Sequence, residues 1–197
     1  MKNSHILTAV LLFAILFCTN LFGFDGERKG FVLNLGGGLG IASYEQKLSD
    51  AFDEVTFDRE TSIAFWTNFK IGYAPNNQFM ILYSNVVPWF KMENIYGNDV
   101  TIISGVMGPK VLYFINPYHP SFFFGGGLGL AYWGAPFEDN VDTWTSFGLV
   151  LEAGYEFSRS VNVSFHILYG NPSKTESGVT TETNFLNFGA TLNLMGY

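Results

Sequence analysis

The chain has 197 residues, 48% of them hydrophobic and 18% aromatic but only 14% charged, about half the ~25% charge of an ordinary soluble domain. Its 21 Phe, 10 Tyr and 4 Trp beside 22 Gly are too apolar for a disordered chain, and no Gly-X-Y period points to collagen. A formal charge of -7 with no Lys/Arg cluster argues against nucleic acid as a partner, and the single Cys18 excludes a disulfide framework and any Cys-based zinc site.

In chain order, the first element is an address. Lys2 precedes an unbroken run of twelve residues, Ile6 to Phe17, apolar apart from Thr8, followed by Thr19, Asn20 and Gly23. This is the layout of a secretory signal peptide, and the run is too short for a spanning helix, which needs ~20 residues. Residues 1–23 are read as the signal peptide, with Cys18 to Asn20 a second cleavage region, and 24–197 as the mature domain, with 9 basic and 17 acidic residues and a net charge of -8. Bulky Phe17 before Cys18 speaks against lipidation, which prefers a small residue there.

From Gly30 onward the residues alternate with period two, the mark of strands with two different faces. Phe31, Leu33, Leu35, Leu39 and Ile41 oppose Val32, Asn34 and three glycines; Ile63, Phe65, Phe69, Ile71 and Tyr73 oppose Ala64, Trp66, Asn68 and Lys70. Phe147 to Phe157 and Val161 to Tyr169 alternate in the same way, and less clean strands are expected over 78–90, 100–115, 122–133 and 184–195. That makes eight strands, most long enough to cross a bilayer at a tilt. Short turns at Pro75-Asn76-Asn77, Asn116 to Pro120 and Ser158-Arg159-Ser160 alternate with longer loops expected at 45–60, 91–98, 134–142 and 171–183. The expected fold is all-β: an eight-stranded antiparallel up-and-down transmembrane β-barrel.

A loose repeat supports the count. Gly36 to Ile41 recurs as Gly125 to Leu130, Gly72-Tyr73 as Gly154-Tyr155, and Ile81 to Asn85 as Ile167 to Asn171, at offsets of 89, 82 and 86 residues. The apolar face of the four clean strands has no Asp, Glu, Lys or Arg, as expected where a lipid-facing Arg or Lys costs ~2 to 4 kcal/mol. The other face is rich in Gly, Ser, Asn and Ala, which suit a narrow lumen. Aromatics gather toward the strand ends, Trp89, Tyr132, Trp133 and Trp144 near the long loops and Tyr73, Tyr113, Phe122, Tyr155 and Phe157 near the short turns, as two membrane-interface belts.

With its signal peptide, eight alternating strands, Gly-Tyr strand ends and closing run Asn187 to Tyr197, the chain resembles the small outer-membrane β-barrels of the porin-like, OmpA/OmpX/OmpW-type group. The resemblance implies residence in the outer membrane, contact with its lipid and lipopolysaccharide, and insertion by the outer-membrane assembly machinery, which reads an aromatic-ended last strand. Tyr197 supplies the aromatic, out of phase with Phe188, Ala190, Leu192 and Leu194.

The candidate site is the set of inward ionic residues, Lys70, Lys110, Glu152, Glu156 and His166. One reading is an internal ion-pair network, because buried charges need partners. The other is an ion-responsive constriction in which His166 titrates. Ser164, His166 and Glu152 or Glu156 invite comparison with a hydrolase triad, but barrel enzymes that trim lipid A need Ser and His facing lipid; parity turns these inward, and Leu168 follows His166 by two. The glycine runs lack the dinucleotide fingerprint, since Ile41 stands where it needs Gly, and no P-loop exists. Loop acids Glu45, Asp50, Asp53, Glu54, Asp58, Glu60, Glu138, Asp139 and Asp142 crowd one rim without EF-hand spacing, so no metal or other cofactor is assigned. Expected is a non-enzymatic barrel with an envelope-structural or surface-interaction role through its loops; a narrow channel and a lipid-modifying enzyme are the alternatives.

Overall fold

A computed structural model describes residues 27–50, 53–93, 97–138 and 142–197. The signal-peptide assignment, Cys18 and Asp139 lie outside the described residues. Eight long strands, β1 (Gly30–Ser49), β3 (Glu60–Asn76), β4 (Phe79–Glu93), β5 (Asp99–Phe114), β6 (Ser121–Gly134), β7 (Trp144–Ser158), β8 (Val161–Gly170) and β10 (Val179–Gly196), form an antiparallel ring. β10 pairs with β1 to close it. Two short strands, β2 (Glu54–Thr56) and β9 (Ser173–Glu176), pair with the upper ends of β1 and β10.

Directly opposed residues trace one circuit of the wall: Phe31, Tyr73, Ile81, Val111, Gly126, Leu151, Ile167, Phe188 and Ile41. The path returns to β1 ten residues beyond its start, 41 minus 31. A shift of ten residues at ~3.3 Å, spread over eight strands ~4.8 Å apart, tilts the strands by about 40°. Every residue on this path faces outward, and eight of the nine are apolar or aromatic, which explains why parity separates the two faces so cleanly.

Local chemistry sets the short turns where the sequence places them. Asn76 Oδ1 accepts from the backbone N–H groups of Gln78 (2.9 Å) and Phe79 (3.0 Å), the side-chain turn that Asn favours. The Asn116 N–H donates to Ser121 Oγ at 3.0 Å across the β5–β6 turn.

Two of the expected loops are corrected. Residues 45–60 and 171–183 are largely strand, because β1 and β10 stay paired as far as Ser49 and Thr180 and fold back on β2 and β9. Above the outward apolar band both faces of a strand are wet, so alternation fades while backbone pairing continues.

The interior is layered. Near the short turns lies an apolar floor of Val32, Met80, Leu82, Leu112, Phe114 and Phe123. Near the long loops lies an aromatic ceiling of Tyr44, Trp66, Phe90, Trp133 and Phe185 with smaller aliphatics. Polar side chains occupy the storey between them. Trp66 is fully buried, and glycines on two neighbouring strands leave room for its ring: a Cβ on Gly40 of β1 would lie 2.6 Å from Trp66 Nε1, and one on Gly189 of β10 would lie 2.3 Å from its Cε2.

Candidate functional site

Alternation on each strand turns the same parity of residue inward, and the register brings four of the five ionic candidates to one level. Glu152 on β7 bonds Lys70 on β3 and, at 2.7 Å, Lys110 on β5. Ser164 on β8 donates to Glu152 Oε1 at 2.6 Å. His166, the cross-strand partner of Glu152, places Nδ1 3.9 Å from its carboxylate and Nε2 2.8 Å from Thr191 Oγ1. Its ring lies under Trp66, centroids 6.0 Å apart. A ladder of amides continues the network: Asn193 Nδ2 donates to Asn162 Oδ1 (2.9 Å) and Ser164 Oγ (3.0 Å), and Asn68 Nδ2 donates to Asn193 Oδ1 (2.8 Å).

The fifth candidate, Glu156, lies one storey lower. There Arg28, which precedes β1, folds under the barrel and holds Glu156 through Nε and Nη2. Arg28 Nη1 donates to the carbonyls of Asn77 (2.8 Å) and Asn116 (2.6 Å), and the guanidinium sits 4.2 Å from the centre of the Phe114 ring. Tyr197 donates to Glu156 Oε1 at 2.6 Å. Burial together with the Glu156 carboxylate pushes the Tyr197 hydroxyl pKa up. Two turns and the residues next to both ends of the barrel therefore converge on one ion pair. Sequence reasoning missed Arg28 because it stands outside any alternating run; the out-of-phase position of Tyr197 was the available signal that it points inward.

The ceiling also corrects the upper aromatic belt. Trp133 and Trp144 fall on the inward parity of β6 and β7, Trp133 packing at a tilt against Tyr44 (centroids 5.1 Å apart) and edge-on against Phe90 (5.5 Å). Tyr132 faces outward but lies flat over Gly105 and donates to Asn85 Oδ1 at 2.8 Å. Trp89 is half-buried on the outer face and donates to Thr67 Oγ1 at 3.0 Å. The belt at the short-turn end is outward as expected, its rings packed in series from Phe79 through Tyr113 to Phe124 and from Phe122 through Tyr155 to Phe157.

The three groups of the hypothetical triad meet in the wrong order for nucleophilic catalysis. A triad needs the base between hydroxyl and carboxylate. Here Ser164 bonds Glu152 directly and His166 Nε2 is engaged by Thr191. On the long-loop rim, acids pair locally: Tyr44 donates to Glu60 (2.6 Å), Arg59 faces Glu45 (3.8 Å), Lys47 faces Glu54 (3.9 Å) and Lys174 bonds Asp142 (2.7 Å) and Glu176. Among the described residues no three His, Cys, Asp or Glu side chains converge as metal ligands.

No protein-family model and no curated protein matches the chain. Solved structures do. The outer membrane protein OprG from Pseudomonas aeruginosa superposes with a TM-score of 0.54 at 9% identity, over 87% of this chain and 99% of that one. Neisserial surface protein A covers 79% of this chain and 95% of its own at 16% identity and a TM-score of 0.44. Ail, the attachment invasion locus protein of Yersinia pestis, solved with the heparin analogue sucrose octasulfate, covers 81% and 98% at 15% identity and a TM-score of 0.36. At these identities the likeness is one of architecture, and with the closed antiparallel ring it establishes that the chain has the eight-stranded, up-and-down fold of the small outer-membrane β-barrels.

Proposed function

We propose that the chain is an integral outer-membrane protein, closed to permeation and without catalytic activity, with an envelope-structural or surface-interaction role exercised by the hairpins and loops of its long-loop rim. One observation carries this reading: the lumen is sealed. Arg28, Lys70, Lys110, Glu152, Glu156 and His166 are each at most 3% exposed, with an apolar layer below the polar storey and an aromatic one above it.

The outer wall supports membrane residence. Leu35, Leu39, Phe65, Leu128, Phe147 and Leu151 are all exposed, as large apolar side chains are where lipid replaces water. An apolar groove of about 490 Å³ around Ala153, walled by Phe122, Phe124, Tyr155, Phe157 and Phe165, suits lipid acyl chains. Lipid and lipopolysaccharide are then the standing partners, and the assembly machinery acts on the last strand before Tyr197 is folded inside. The loop ligand is a separate partner of unassigned chemistry.

Planar-bilayer recording on the folded protein tests the proposal. Bilayers containing it are expected to stay at baseline current; reproducible unitary steps would overturn closure. If such steps respond to Glu152→Gln or His166→Ala, the second reading, an ion-responsive constriction, takes over. Lipid A mass spectra unchanged by the protein are expected on the non-enzymatic reading, and a lost acyl chain would refute it.

A further inference from the structure

We infer that the long-loop mouth of the barrel holds a binding site for a neutral saccharide, on the inner face of the β9–β10 hairpin beside Trp144. The inference rests on the surface-interaction reading of this rim and names its ligand class. Register builds the site. Lys174 on β9 pairs with Thr181 on β10, and Glu176 pairs with Val179. Thr181 and Val179 share the parity of buried Thr183 and Phe185, so these four residues line one face of the hairpin, turned toward the barrel axis. Thr145 on β7 pairs with Ser173, and the same register one residue further sets Trp144 opposite Lys174. Trp144, Lys174 and Thr181 therefore stand in a row above the aromatic ceiling, against which the half-buried indole packs.

With Ser177 of the hairpin turn, these residues wall an open cavity of about 340 Å³, in the lower part of the ~300 to 1,000 Å³ range of small-molecule sites. Its chemistry is mixed. The Trp144 indole N–H and the Ser177 and Thr181 hydroxyls have no hydrogen-bond partner among the described residues. Lys174 commits two of its three N–H groups to Asp142 and Glu176, and Glu176 holds it through Oε1, leaving Oε2 to accept. Donors and an acceptor side by side match the neighbouring hydroxyls of a sugar. Its axial C–H groups carry the partial positive charge that the negative face of an aromatic ring attracts. An apolar ligand would leave these polar groups unpaired. A polyanion would be repelled, because two carboxylates already match Lys174 and because Asp53, Glu54 and Asp58 are exposed on the same rim.

The test is an array of neutral, sialylated and sulfated glycans, probed with the folded protein in lipid nanodiscs free of glycoside detergents. Wild-type protein is expected to bind neutral glycans, and the best of them, added in solution, should shift the Trp144 indole N–H resonance, identified by its loss in Trp144→Phe. Trp144→Ala should weaken binding about tenfold, the scale of one lost ring contact. Thr181→Val, which keeps the side-chain shape, should weaken it by a smaller factor with heat-modifiable gel migration unchanged, and it decides the matter if Trp144→Ala fails to fold. An array without a bound neutral glycan, binding confined to sialylated or sulfated glycans, or binding indifferent to both substitutions would overturn the site. The closed-barrel reading stands or falls separately, on bilayer current measured without sugar, and binding of acidic glycans alone would keep the surface role while rejecting this ligand.

Discussion

Lys70 and Glu152 occupy equivalent positions in the two halves of the barrel and bond each other across its axis. The offset of 82 residues that carries Gly72-Tyr73 onto Gly154-Tyr155 also carries Lys70 onto Glu152. Their strands, β3 and β7, are four places apart in the ring of eight and so directly opposite, as are the glycine-rich runs of β1 and β6. Lys110 on β5 is two strands from each. Positions 70 and 152 are therefore equivalent with respect to Lys110, which stands on the strand midway between theirs.

That equivalence makes the pair exchangeable. Lys70→Glu alone sets two carboxylates against Lys110, and Glu152→Lys alone leaves three ammonium groups; each should cost ~3 to 5 kcal/mol, the penalty for breaking a buried pair. The double exchange returns one carboxylate to two ammonium groups, with Lys110 two strands from position 70 as from 152, and should recover at least half of the summed loss. Urea unfolding in vesicles, read by heat-modifiable gel migration, completes the cycle. Simple additivity of the two losses would show that the halves are not equivalent.

Arg28 closes the floor, and its removal should be felt far from its place in the sequence. Arg28→Met leaves the Glu156 carboxylate, fully buried, with Tyr197 as its remaining partner. A loss of ~3 to 5 kcal/mol is expected, largely restored by adding Glu156→Gln, which removes the stranded charge and keeps an acceptor for Tyr197. The same unfolding assay reads both. If Arg28→Met alone were neutral, the ion pair would have no part in holding the floor.

Most of this architecture is written in alternation, and the places where it is not share a cause. Parity turns Lys70, Lys110, Glu152 and His166 inward because each sits in a run whose other face is apolar, and it turns Tyr197 inward for the same reason. β6 is harder to read: Gly125 to Gly129 interrupts the alternation, so Trp133 passes for a belt residue when its parity with Phe123 and Ala131 puts it inside. The β1–β10 extension is hidden because polar residues such as Gln46, Lys47, Thr181 and Glu182 pair there with water on both faces. Arg28 has no strand partner at all, and only the folded turns at Asn77 and Asn116 define its place. The pairing of Lys70 with Glu152, by contrast, was within reach of the repeat offset.

The outer wall makes a depth-dependent prediction. Leu151 lies near the middle of β7 and Ile63 near the long-loop end of β3, and both are exposed. Leu151→Arg should lower stability by ~2 to 4 kcal/mol, while Ile63→Arg, close to the rim, should cost ~0 to 1 kcal/mol. Refolding into vesicles and unfolding in urea measures both. Equal penalties, or none at Leu151, would contradict a bilayer centred on this band.

At the rim, Lys174 clasps the loop before β7 to the β9–β10 hairpin. It bonds Asp142 at 2.7 Å and also Glu176. Its hydrogen bond and charge hold the Asp142 carboxyl below its ordinary range, and the two carboxylates hold the Lys174 ammonium above its own. A depressed carboxyl pKa stabilises the folded hairpin above the unfolded value of about 3.9, and that contribution disappears as pH falls through the folded pKa. A raised ammonium pKa acts in the opposite sense, so its contribution is complete below the unfolded value of about 10.4 and disappears as pH rises through the folded one. The clasp should therefore be whole across the neutral range and open at both extremes. Asp142 is exposed and Lys174 partly so, and salt should weaken the clasp. NMR titration of the Asp142 carboxyl carbon should show a midpoint below that of a free aspartate, returning to the ordinary value in Lys174→Met. An unchanged midpoint in that variant would mean that something other than Lys174 shifts Asp142.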